Sequence, residues 1–125
     1  MPAIDGSILD GTKNALGLDP EYTVFDQDII MFINSAFSTL RQIGAGPIGG
    51  FQITDNTSKW DEFLLDKPMM NDVKSYVYLR VRLLFDPPTM GYLVDAIKEQ
   101  IKEHEWRINV EAERLPIAFL EAPIG

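Results

Sequence analysis

The chain reads as mainly α: a small bundle of four to five helices, with a Gly-rich loop holding a short β segment and an extended C-terminal tail. Three observations predict this. Side chains suited to a core recur three and four apart in two long stripes, Ile29, Ile30, Ile33, Phe37, Leu40, Ile43 and Met90, Leu93, Val94, Ile97, Ile101, His104, Ile108. A composition of 46% hydrophobic and 24% charged residues over 125 positions suits one domain with a single core. Finally, Asp86-Pro87-Pro88 is a corner that helices can enter and leave but not cross, because proline disfavours helical geometry in the residue before it.

In chain order, the first helix is expected from Ala3 to Leu16, with Ile4, Ile8, Ala15 and Leu16 on its apolar side and Gly17 as its stop. Asp19-Pro20 follows as a turn or a cap. The second helix carries the first stripe, with Thr23 or Asp26 as its cap, Asp26 and Asp28 in its first turn, Arg41 in its last and Gly44 at its end. Between Gly44 and Thr57 glycines and Pro47 mark a loop, within which Phe51-Gln52-Ile53-Thr54 alternates as a short strand would. Thr57 or Ser58 is read as the cap of a short helix bearing Trp60, Phe63 and Leu64.

Asn71 is the expected cap of the next helix, through Val73, Tyr76, Val77, Arg80, Val81 and Leu84. Its β-branched and aromatic content would also suit a strand, but a run of about 15 residues is helical length. The last helix is expected from Pro88 to Ala112, antiparallel to its predecessor, with Glu103–Arg107 and Glu99–Lys102 as favourable surface pairs. Residues 1–113 then form a helical domain and 114–125 an arm.

That arm, Leu115-Pro116-Ile117-Ala118-Phe119-Leu120-Glu121-Ala122-Pro123-Ile124-Gly125, is unusually apolar for a terminus. Pro116 and Pro123 favour an extended chain suited to a partner's sheet edge or groove. Burying Leu115, Ile117, Phe119, Leu120 and Ile124 would contribute roughly 1.5–3 kcal/mol each before ordering costs. These five are the candidate partner-binding residues, toward another protein or a neighbouring subunit. Arg80, Arg82, Phe51 and Ile53 are candidates for further contacts, between subunits or with the lumen of a ring that the subunits would form.

Catalysis finds little support. The chain has no cysteine and one histidine, which removes thiolate chemistry, cysteine-based zinc sites and multi-histidine metal sites. Gly44-Ala45-Gly46-Pro47-Ile48-Gly49 follows a helix rather than a strand, so it lacks the setting of a dinucleotide loop. His104 lies on a core-facing stripe and is read as packed or hydrogen-bonded. Asp26/Asp28, Asp61/Glu62 and Glu111/Glu113 sit at helix ends or on charged faces, and Trp60 and Trp106 read as core or interface anchors. No catalytic residue, metal or cofactor is assigned.

A formal charge of −8 opposes binding to DNA phosphates, yet permits a surface that DNA slides past. No run approaches the roughly 18 apolar residues of a membrane span, and the first residues lack the pattern of a signal peptide. The absence of cysteine fits a reducing compartment such as cytoplasm.

The run Tyr76-Val77-Tyr78-Leu79-Arg80-Val81-Arg82-Leu83-Leu84-Phe85-Asp86-Pro87-Pro88, then Ala96-Ile97-Lys98-Glu99-Gln100-Ile101-Lys102-Glu103-His104-Glu105-Trp106-Arg107-Ile108-Asn109, resembles the small head–tail connector (adaptor or neck) proteins of long-tailed bacteriophages. Asp26 to Phe37, the Gly44–Thr57 loop and Trp60 fall in the matching order, and the likeness spans Ile4 to Glu111. The resemblance implies a structural virion protein, assembled in the host cytoplasm into a closed ring of roughly twelve subunits. It also implies a place in the neck beneath the portal protein, next to a stopper or tail-completion protein, with DNA passing through the lumen unbound. Relatives clasp the portal or an adjacent subunit with terminal segments, for which Leu115 to Gly125 are the matching residues. A tail-completion or stopper protein, and more remotely a small helical DNA-packaging subunit, are the alternatives.

Overall fold

In the computed structural model, which describes residues 6–65 and 67–114, the helix Lys67–Phe85 is the centre of the bundle. Five helices are described: α1 (Ile8–Ala15), α2 (Asp26–Gln42), α3 (Trp60–Phe63), α4 (Lys67–Phe85) and α5 (Gly91–Arg114). α4 packs against α2, α5 and α1, and the sidedness of its sequence explains how. Val73, Tyr76, Val77 and Val81 are fully buried on it, meeting Ile29, Ile33, Phe37 and Leu40 of α2 and Ile108 of α5 in one core. The fold is therefore the mainly helical bundle expected, with α4 and α5 antiparallel across the Pro87-Pro88 corner.

Within the described residues, the expected first helix is interrupted at Ser7, which is extended, and α1 runs on from Ile8. Ser7 is its N-cap: the hydroxyl accepts from the Asp10 amide at 3.2 Å and donates to the Asn56 carbonyl at 2.8 Å. Ile4, assigned to this helix, lies outside the described residues. Ala15 is exposed, while Leu9, Thr12 and Lys13 turn inward beside Ile8. Gly17, at φ +82°, closes the helix, as expected of the stop residue. Asp19 then sets a turn, its carboxylate accepting from the Glu21 amide and its carbonyl from the Tyr22 amide.

Three expected caps are corrected. α2 begins after Phe25 with no side-chain cap; the Thr23 carbonyl accepts from the Asp26 amide, and the Asp26 carboxylate is drawn to Lys13 instead. α3 is entered from Lys59, whose amide donates to Glu62 at 3.0 Å. Thr57 is held by Asp55, and the hydroxyl and amide it donates keep that carboxyl below its usual range. Asn71 lies inside α4, which starts at Lys67 because Pro68 fits the first turn, where its missing N–H has no helical acceptor to lose. α5 starts at Gly91 rather than Pro88, with the Met90 carbonyl accepting from Leu93 and Val94. It continues to Arg114, two residues beyond the expected end at Ala112.

The short strand is absent among the described residues. Its alternation is real, with Ile53 buried and Gln52 and Thr54 exposed. A side chain, however, takes the place of a neighbouring strand. The Asn34 carboxamide accepts from the Ile53 amide at 2.8 Å and donates to the Ile53 carbonyl at 3.0 Å. One residue of loop is thereby pinned to α2, and Phe51, Phe63, Trp60 and Phe37 close over it as an aromatic cluster, Phe37 stacked on Phe63 at 4.6 Å.

Candidate interaction surfaces

Polar side chains on α2, α4 and α5 turn toward one another. The Tyr76 hydroxyl donates to Glu105 at 2.8 Å and accepts from Arg80 at 2.7 Å, and Arg80 goes on to Thr39 and Ser35. His104 meets Asp72 at 2.8 Å, in keeping with its reading as a hydrogen-bonded residue, and Asn109 donates to the Ile43 carbonyl. Arg107 bridges to Glu103 at 3.0 Å, the expected surface pair.

Burial, the hydrogen bond to Glu105 and its charge push the Tyr76 phenol up to about 12 against the pull of Arg80. A folded-state value above that of the unfolded chain gives stability that is whole below about pH 10 and lost as pH climbs toward 12. Tyr76→Phe should cost about 1–2 kcal/mol at neutral pH and show a shallower loss over that interval than wild type. Urea midpoints measured for both from pH 8 to 12 check this, the lysines contributing alike to each.

The remaining surface is less evenly polar. Tyr22 and Phe25 stack edge-on, and Phe25 in turn meets Phe85 with ring centroids 5.2 Å apart, which brings the α1–α2 connection onto the α4–α5 corner. Around this contact Val24, Leu84, Met90, Tyr92 and Leu93 are exposed, Tyr92 by 68%. Met90 and Leu93 were expected to be core on helical spacing; they overhang the corner instead, and the buried part of that stripe is Ile101 and Ile108. An apolar cap of this kind at one end of an acidic chain is typical of a surface that another protein covers.

The expected contact residues are distributed differently. Leu115, Ile117, Phe119, Leu120 and Ile124 lie outside the described residues. Arg80 is engaged within the fold, Arg82 is exposed, Phe51 is half-buried in the aromatic cluster, and Ile53 is 1% exposed and part of the core. Trp60 is core, whereas Trp106 is 66% exposed on α5, beside a shallow groove formed with Glu99, Gln100, Lys102 and Glu103. The cap was missed, although Leu84, Phe85, Met90, Tyr92 and Leu93 crowding a double proline was a signal: a sharp corner leaves few neighbours to bury them.

Among the described residues no three or more His, Asp or Glu side chains converge as metal ligands would, and no helix is long and apolar enough to cross a membrane. Exposed apolar side chains gather at the α4–α5 corner, and Ile48, Leu65 and Trp106 add others elsewhere on the surface. Residues 8–115 match the phage connector protein family, and the chain belongs to it. No curated protein and no solved structure matches the chain. As a member of this family it has a structural role in the neck of the phage virion, in association with other neck components.

Proposed function

We propose that copies of this chain close into a ring between the portal protein and the tail, continuing the channel through which DNA passes. A ring needs a heterologous contact, one surface of each copy against a different surface of the next. The observation that carries this reading is the apolar cap around Phe25, Phe85 and Tyr92, in a chain of a family whose work is assembly. The −8 charge supports the channel role, since an acidic lumen lets a polyanion pass without adhering. Residues 115–125 are the proposed arm toward the portal or the adjacent subunit, and the number of subunits, roughly twelve by resemblance, is set by the angle between neighbours.

The test is native mass. Wild-type protein is expected to form a closed oligomer, alone or on the cognate portal. A Leu84→Asp, Tyr92→Asp variant should stay folded, since both side chains face solvent, and should remain monomeric. Undiminished assembly by that variant would remove the cap from the account.

A further inference from the structure

A recess of about 350 Å³ opens where α3 meets the start of α4, at the small end of the range for ligand pockets. Leu64, Leu65 and Met70 supply its apolar wall, with Trp60 behind them. Leu65 is exposed although it sits beside a buried indole and a buried methionine. Among the described residues, Lys59 and Lys74 stand at the recess with Asp61 as the one acid, two cations to one anion in a chain that carries −8. The Lys74 ammonium lies 5.8 Å from the Trp60 ring. Trp60 is only 3% exposed, and its indole N–H has no acceptor among the described residues. A buried donor without a partner is uncommon and marks a place where an acceptor is missing.

We propose that this recess seats residues 115–125 of a second copy of the chain. The inference rests on the reading that this segment docks on another subunit, and it names the seat. Three properties match. Pro116 and Pro123 disfavour helix, so a segment seated there in extended form would offer backbone carbonyls, one of which could accept from the Trp60 N–H. Leu120 and its apolar neighbours suit the wall of Leu64, Leu65 and Met70, while Glu121, the segment's one charged side chain, suits Lys59 and Lys74.

Geometry favours a second copy over the chain's own arm. On α4, Asp72 and Tyr76 face α5, whereas Lys74 lies about 200° round the helix from each, beside Trp60. α5, from which the arm continues, is therefore on the opposite side of α4 from the recess. The chain's own arm would have to pass round α4 to enter it.

The chain has only two tryptophans, so Trp106→Phe, a surface change, leaves Trp60 as the sole indole reporter. A synthetic peptide of residues 114–125 titrated into this full-length variant should shift Trp60 emission saturably. A peptide carrying Glu121→Lys should bind roughly five- to tenfold more weakly, and Lys74→Glu in the protein should restore it. Leu65→Asp should abolish the shift while helical content stays. The absence of cysteine allows a second readout. A Leu65→Cys, Glu121→Cys variant, oxidised under conditions where native mass shows assembly, should give a ladder of covalent multimers. An emission that does not respond to the peptide, a charge swap without effect, or a cross-link confined to single chains overturns the seat. Rings that form without a ladder would reject this seat and leave ring formation standing. Conversely, failure to assemble would reject the ring while the peptide titration still decides the recess.

Discussion

Asp26→Ala is expected to cost about 3 kcal/mol of stability, the low end of the cost of breaking a buried ion pair because Asp26 keeps some water. Its partner is Lys13, whose side chain is 1% exposed and whose ammonium lies 2.8 Å from the Asp26 carboxylate, itself 21% exposed. The same ammonium donates to the Pro20 carbonyl at 2.8 Å. One cation thus ties α1, the turn after it and the first residue of α2. Without Asp26 the charge stays buried with a single neutral acceptor, which is far worse than burying nothing charged at all. Lys13→Met should be milder, since it removes the charge, keeps much of the stem's volume and leaves a carboxylate that water can reach. The double variant should recover part of what Asp26→Ala loses, a coupling that a double-mutant cycle in urea reads directly. Against a total stability of about 5–15 kcal/mol, the single Asp26 change would lower the melting temperature by roughly 10–15 °C. Phe25 and Tyr22 of the cap flank this tie, so a variant that loosens it should also weaken assembly.

Gly46→Ala should be the next most damaging change, at about 2–4 kcal/mol, from two causes that add. Gly46 has φ +88°, a left-handed conformation that costs a side chain roughly 1–2 kcal/mol. A Cβ there would also meet the Phe63 ring, with Cε1 nearest and Cζ at 2.6 Å. That ring cannot swing away, because Phe37 stacks on one face of the cluster and Phe51 closes its edge. Gly17→Ala is the control: φ is +82°, yet nothing lies within 4 Å, so only the conformational cost of about 1 kcal/mol remains. Urea midpoints of the two variants should therefore differ by a factor of two or more in their displacement from wild type. Equal displacement would show that the loop yields and that the aromatic cluster does not hold Gly46 in place.

Much of the fold was legible because burial obeys spacing when a long helix packs on one side. The α2 stripe from Ile29 to Leu40 is buried as read, and the Pro87-Pro88 corner turns the chain where expected. The caps were less legible. A serine, threonine or aspartate near a helix start has several possible partners, and tertiary geometry decided among them: Asp26 was taken by Lys13, and Thr57 by Asp55. Lys13 itself gives no sign of burial in the sequence, since its partners arrive from Pro20 and α2 only on folding. The strand reading of Phe51 to Thr54 failed for a related reason, because periodicity records which side chains turn inward and not what pairs with the backbone. The cap around Tyr92 was hidden by the same rule that revealed the core. Met90 and Leu93 keep helical spacing, but α5 begins only at Gly91, which leaves Met90 ahead of the helix and Leu93 in its first turn, both exposed at the corner.

Non-covalent closure into a ring, through the cap at the α4–α5 corner, is the step on which the proposed assembly depends. Native mass of the full chain with and without cognate portal tests it most directly. One closed stoichiometry on the portal is expected, sensitive to Leu84→Asp with Tyr92→Asp. A chain that stays monomeric in both samples, or binds the portal as single copies, would contradict it.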